Sequence, residues 1–196
     1  IISTGMANDI EIQEAIDVAR SSGCKELAIL HCVSGYPATP LDYNLRTVTD
    51  MISRFGCVTG LSDHTLDNTT AIASIALGAS LVEKHFTIDR TDGGPDDSFS
   101  LEPQELENHC DGVKTVWSSL GKVNYGLKSS ETGNIKLRRS LYFVRDLNIG
   151  DIITRDDVRS VRPGYGLAPK YLNSILGRKM TANVLYGEPT SEEVIE

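Results

Sequence analysis

Leu27-Ala28-Ile29-Leu30-His31-Cys32-Val33 is a short, continuous apolar run with polar turn residues on both sides. That is the pattern of a strand buried on both faces of a parallel sheet. Before it, Asn8 and Glu11 form a capping box ahead of Ile12, Ala15, Ile16 and Ala19 at helical spacing, and Gly23 is placed to end that helix. Ile1 and Ile2 read as the end of a strand already under way, and no initiator Met precedes them, so an upstream segment is expected. After it the cycle repeats. Leu45, Val48, Met51, Ile52 and Phe55 suit a helix, Cys57 to Leu61 a strand, Thr69 to Leu77 a helix and Leu81 to Phe86 a strand. Leu106, Val113, Trp117 and Leu120 make a last helix between Pro103 and Gly121.

Strict alternation of this kind implies a parallel sheet with right-handed helical crossovers, either doubly wound or a barrel. Polar residues decide between the two. His31, the Ser62-Asp63-His64-Thr65 group and His85 fall at or just beyond C-terminal strand ends, where barrel enzymes gather their sites. No glycine-rich phosphate fingerprint supports the doubly wound alternative. A closed barrel needs eight strands and roughly 250 residues, so the α/β segment 1–121 reads as the C-terminal half of a (β/α)8 barrel. Alone, such a half exposes strand edges and an apolar interior, and is expected to be inactive or aggregation-prone. Residues 122–139 turn polar and rich in glycine and serine, as a linker does, and 140–196 form a second, small domain. There Ser140 to Val144 reads as a strand, Asn148 to Gly150 as a turn and Thr154 to Asp157 as the cap of a short helix. So small a unit has a marginal core and is expected to dock on another surface, in an oligomer.

The net charge of −8 excludes nucleic acid and anionic membranes as main partners, since both would repel the chain. Cys24, Cys32, Cys57 and Cys110 show no CxxC pairing, which reads as buried thiols in a reducing, cytoplasmic compartment. No apolar run is long enough for a membrane span.

His64 and His85, at the ends of neighbouring strands, can converge on one divalent ion acting as a Lewis acid. The competing reading is that each caps a strand end through hydrogen bonds. Two together, each beside a carboxylate (Asp63 and Glu83), favour a site. His31 reads as a hydrogen-bonded core residue and His109 as a surface residue of the last helix. Ser34, Tyr36 and Ser62 are short donors suited to phosphate oxygens, although the two serines could also be plain turn hydroxyls. Asn44 could cap the next helix. Asp96 lies in the loop Asp92-Gly93-Gly94-Pro95-Asp96, a close approach to ligand or a surface turn. Arg162 is a planar donor fork for a carbonyl or carboxylate, or one half of a surface salt bridge.

Taken together, Ser3-Thr4-Gly5-Met6, Leu30 to Pro37, Gly60-Leu61-Ser62-Asp63-His64-Thr65 and Glu83-Lys84-His85-Phe86-Thr87 resemble the sialic acid synthase family in order and spacing. Gly94-Pro95-Asp96, Phe99 to Pro103 and Arg139-Ser140-Leu141-Tyr142 extend the resemblance over the whole chain. The stretch Arg162 to Leu172 falls in what resembles the family's antifreeze-like (SAF) β-clip domain and is most similar to pseudaminic acid synthases. The resemblance implies that His64 and His85 bind a divalent metal, typically Mn2+ with Mg2+ or Co2+ as alternatives, and form a catalytic set with Glu83. It implies that Ser34 and Ser62 help hold the phosphate of phosphoenolpyruvate, with Ser3 a further pocket residue. Ser34 departs from the Asn of some relatives. Tyr36 and Asp96 match positions that contact the acceptor sugar. Arg162 matches one delivered to the sugar's N-acetyl group by the partner subunit of a homodimer with a swapped C-terminal domain. The implied reaction joins phosphoenolpyruvate to an N-acetylated amino sugar, 2,4-diacetamido-2,4,6-trideoxy-altrose, giving pseudaminic acid and phosphate. Alternatives are N-acetylneuraminate synthesis from N-acetylmannosamine, another phosphoenolpyruvate-condensing barrel, and a non-catalytic sugar-binding remnant. Family members carry a glutamate and lysines for phosphoenolpyruvate in a preceding half barrel.

Overall fold

The apolar periodicity becomes structure in the predicted order. β1 (Ile2–Ser3), α1 (Asp9–Ser21), β2 (Ala28–Cys32), α2 (Arg46–Phe55), β3 (Val58–Asp63), α3 (Thr69–Ala76), β4 (Val82–Lys84) and α4 (Pro103–Leu120) follow one another in a computed structural model that describes residues 1–196. The chain divides into two units, Ile1–Val123 and Asn124–Glu196. In the first, the capping box at α1 is complete: Asn8 Oδ1 accepts from the Ile10 and Glu11 amides at 3.0 Å, and the Glu11 carboxylate accepts from the Asn8 amide at 2.8 Å. A cap of this kind contributes ~1 kcal/mol. Glu102 and Glu105 repeat the device at α4, with Pro103 in its first turn.

The four strands form one parallel sheet in the order β1-β2-β3-β4. Register sorts their side chains into two faces. Ile29 and Leu61 face the helices and are fully buried, joining Ile16, Met51 and Phe55 on one side and Tyr43, Val48, Ala71 and Ile75 on the other. The opposite face carries Ser3, Leu30 and Gly60 at one level and Cys32, Ser62 and Glu83 at the next. Gly60 is required there, because a Cβ would lie 2.5 Å from the Leu81 carbonyl oxygen and 2.6 Å from Leu30 Cδ2.

Three expectations change. The inward stripe of α4 runs through Leu106, His109, Val113 and Val116, so Trp117 and Leu120 are exposed while His109 is buried. An apolar count skips a histidine and so shifts the stripe onto the wrong side of the helix. All four cysteines are free, but Cys24 and Cys110 are exposed rather than buried. Asn44 does not cap α2; it takes a positive φ of 43° and donates its side-chain amide to the Asp42 carbonyl. No helix is long and apolar enough to cross a membrane.

In the second unit β5 (Ser140–Phe143) pairs antiparallel with β6 (Val158–Val161), and α5 (Leu172–Ile175) follows. The expected helix cap at Thr154 to Asp157 is instead a turn. The Asp157 carboxylate accepts from the Thr154 amide at 2.7 Å, and the chain enters β6 directly. Leu141, Phe143, Leu147, Ile153, Val158, Ile175, Met180, Val184 and Ile195 form a core of its own. Ahead of it, the polar segment expected as a linker contains a 3-10 stretch, Ser129–Leu137, with every residue exposed.

Candidate functional site

β3 and β4 are hydrogen-bonded neighbours, and His64 and His85 each lie just beyond their C-terminal ends. The two rings stand 5.2 Å apart, centroid to centroid, at 65°. His64 Nδ1 lies 2.8 Å from the Val33 carbonyl oxygen, which can only accept, so the proton sits on Nδ1. His85 Nδ1 lies 3.4 Å from Asp96 Oδ2, again an acceptor. The proton on His64 Nδ1 leaves its Nε2 lone pair for a ligand, as second-shell partners do for metal-bound imidazoles; His85 makes no side-chain hydrogen bond and has Asp96 as its neighbour. Tyr36 packs against both rings, at 4.3 Å from His64 and 5.8 Å from His85, and Phe99 closes the far side at 5.0 Å from His85.

One level down, buried Ser62 donates its hydroxyl to Glu83 Oε1 at 2.8 Å. Its single O–H is therefore committed; to serve a phosphate oxygen it must turn away from Glu83. Ser34 is exposed, with its Oγ 3.9 Å from Cys32 Sγ, and stands beside Gly5, where a Cβ would come within 3.2 Å of that oxygen. Ser3 pairs in register with Leu30. Arg162 lies in the second unit, exposed, preceding a cis Pro163, and makes neither the surface salt bridge nor any other hydrogen bond.

Of the two carboxylates adjacent to the histidines, Glu83 shares their side of the sheet and meets Ser62, whereas Asp63 does not share it. Strand alternation turns Asp63 to the helix side, where it is fully buried and accepts from Lys84 Nζ at 2.8 Å and from the Thr65 amide at 3.0 Å. His31 is also on that side, with Nε2 2.5 Å from the Tyr43 carbonyl oxygen; it is hydrogen-bonded as expected, but half-buried rather than in the core. Tyr43 was not singled out by the sequence. It is fully buried, its hydroxyl accepts from the His64 amide at 2.7 Å, and burial pushes its phenol pKa well above the ordinary range. A lone tyrosine in a polar loop carries no pattern that would have found it.

No group of three or more His, Cys, Asp or Glu side chains is placed to hold a metal ion. The donor set nonetheless fits a divalent ion of open coordination: two neutral imidazole nitrogens, with the remaining positions left to water or substrate oxygens.

Residues 1–125 match the NeuB family, and residues 138–192 match the SAF domain. The pseudaminic acid synthase of Campylobacter jejuni is 33% identical over 192 residues, covering 98% of this chain and 56% of that one. The N,N'-diacetyllegionaminic acid synthase of the same species is 37% identical over 186 residues, covering 93% and 56%. The crystal structure of the spore coat polysaccharide biosynthesis protein SpsE of Bacillus subtilis aligns with the whole of this chain and 60% of its own, with a TM-score of 0.58 and 29% identity. The chain spans about half the length of the curated relatives it matches. With its parallel α/β sheet and a SAF domain behind it, the chain belongs to the NeuB family.

Proposed function

We propose that this chain carries the metal-binding rim of a nonulosonic acid synthase, which condenses phosphoenolpyruvate with an N-acetylated amino sugar and releases phosphate. The observation that supports it is the side-by-side placement of His64 and His85 above the Ser62–Glu83 pair, with His64 Nδ1 held by the Val33 carbonyl and His85 beside Asp96. In this reading the two Nε2 atoms would hold Mn2+, Mg2+ or Co2+, which when bound supplies Lewis-acid polarisation of the acceptor's aldehyde oxygen. C3 of phosphoenolpyruvate attacks the aldehyde carbon, and the aldehyde oxygen takes a proton. Water adds at the cationic C2, and Glu83 takes the proton that this water gives up. The C2–O bond to phosphate then breaks as the new C2 hydroxyl gives its proton to the departing phosphate, leaving a C2 ketone and inorganic phosphate.

The other residues bind and orient. Tyr36 forms an aromatic wall beside His64 for the acceptor sugar, and Asp96 steadies His85 while its exposed carboxylate meets sugar hydroxyls. Ser34 holds phosphate oxygens, with Ser62 joining it when it turns from Glu83, and Ser3 lines the substrate pocket. Arg162 reaches the N-acetyl group from the partner subunit of a swapped homodimer. The acidic chain with its free thiols suits the cytoplasm.

The acceptor proposed is 2,4-diacetamido-2,4,6-trideoxy-altrose, giving pseudaminic acid. A second reading, synthesis of N,N'-diacetyllegionaminic acid, is favoured by the 37% identity to that synthase. The test is phosphate release by the full-length protein with Mn2+, offered the altrose derivative, the diacetamido sugar acceptor of legionaminic acid synthesis and N-acetylmannosamine in parallel, with the product identified by mass and NMR. Metal-stripped protein is expected to be inactive; unimpaired consumption of phosphoenolpyruvate without metal would overturn the mechanism.

A further inference from the structure

Asp63 and Lys84 face each other in register across β3 and β4, one residue before His64 and His85 respectively, and on the opposite side of the sheet. Their side chains are 0% and 4% exposed. The ammonium is fully occupied: it donates to Asp63 Oδ2, to the Thr65 carbonyl and to the Asp67 carbonyl, each at 2.8 Å. Two of those acceptors, the Asp63 carboxylate and the Thr65 carbonyl, belong to the residues on either side of His64, so one cation from β4 ties the side chain before the β3 histidine to the backbone after it. Asp63 in turn accepts from the Thr65 amide and hydroxyl at 3.0 and 3.1 Å, closing the same loop.

Fold stability alone gives little reason for this pair. Buried ion pairs are weak stabilisers, and apolar residues of similar volume in their place are often neutral or better. What an apolar pair cannot do is hold two carbonyls and a carboxylate at fixed distances from one strand to the next. We infer that Asp63 and Lys84 are positioning residues that set the spacing of His64 and His85. The inference rests on the reading that these two histidines share a divalent ion.

The test is the double substitution Asp63→Leu/Lys84→Met in the full-length protein. It removes one charge of each sign, so the local net charge is unchanged and a loss of metal affinity reports geometry. The readouts are thermal melting of the metal-free protein and Mn2+ affinity by calorimetry or EPR, with His64→Ala/His85→Ala as the reference. Expected are a single cooperative melt, Mn2+ bound ~10–100-fold more weakly, and phosphate release recovering as Mn2+ approaches saturation. A folded double variant with wild-type Mn2+ affinity overturns the inference and leaves the metal reading standing. A double variant that cannot fold shows the pair to be structural, and overturns it too. Undiminished Mn2+ binding by His64→Ala/His85→Ala overturns the metal reading and the inference with it.

Discussion

On the helix side of the β3–β4 pair, Asp63 and Lys84 are shut away and every charged atom meets a partner, whereas on the other side the polar groups of His64, His85 and Glu83 are only partly satisfied. Residues adjacent in sequence thus have opposite fates. Alternation of the strand separates groups that hold the backbone from groups free to bind a ligand, and substitutions on the two sides should fail differently.

The sharpest way to break the contrast is His64→Ala or His85→Ala. Either is expected to lower phosphate release by ~1,000-fold or more, as removal of several kcal/mol of transition-state stabilisation implies, with little change in melting temperature. Retained activity would remove that residue from the site. On the helix side the single substitution Lys84→Met leaves Asp63 buried without its cation. It should cost about 3–5 kcal/mol of stability, read as a large drop in denaturant midpoint; a change within error would show water already reaching Asp63. Tyr43→Phe deletes only the hydroxyl that receives the His64 amide, a loss of about 1–3 kcal/mol. Weaker Mn2+ binding should accompany it, and unchanged stability and binding together would deny Tyr43 a role at the rim.

The smallest effect concerns His109, whose buried Nδ1 has no hydrogen-bond partner. Burial, reinforced by nearby Lys84, lowers its pKa below the usual imidazole value of about 6.5. The unfolded chain therefore binds a proton that the folded chain refuses. This penalty is absent above about pH 6.5 and grows as pH falls from there toward the folded value, so stability should fall across that window. His109→Phe should flatten this part of the stability profile; an unaltered slope would show that another group causes it.

The legible and the illegible residues differ in the range of the interactions that place them. Capping at Asn8 and Glu11 and the stop at Gly121 are settled within a turn or two of chain and are found as read, and the apolar run Leu27 to Val33 holds a strand one residue shorter at each end, Ala28–Cys32. His64 and His85 were legible because each falls at or just beyond the end of a short strand in a strict strand–helix alternation, and strand ends can be counted. Trp117, His109 and the turn at Thr154 were misread because helix rotation and side-chain capping depend on what the element packs against, not on its own composition. Asp63 was misread for a related reason: adjacency in sequence was taken for adjacency in space, whereas neighbouring strand residues point apart.

By itself, then, the amino-acid order determined the alternation of strand and helix and pointed to two histidines at strand ends, because periodicity, caps and breakers act locally. Tertiary structure alone decided that Ser62 would meet Glu83, that Lys84 would bind the backbone around His64, and that a loop tyrosine would hold its amide. Those contacts join residues about twenty positions apart, and only the parallel register and the closing of buried space bring them within reach.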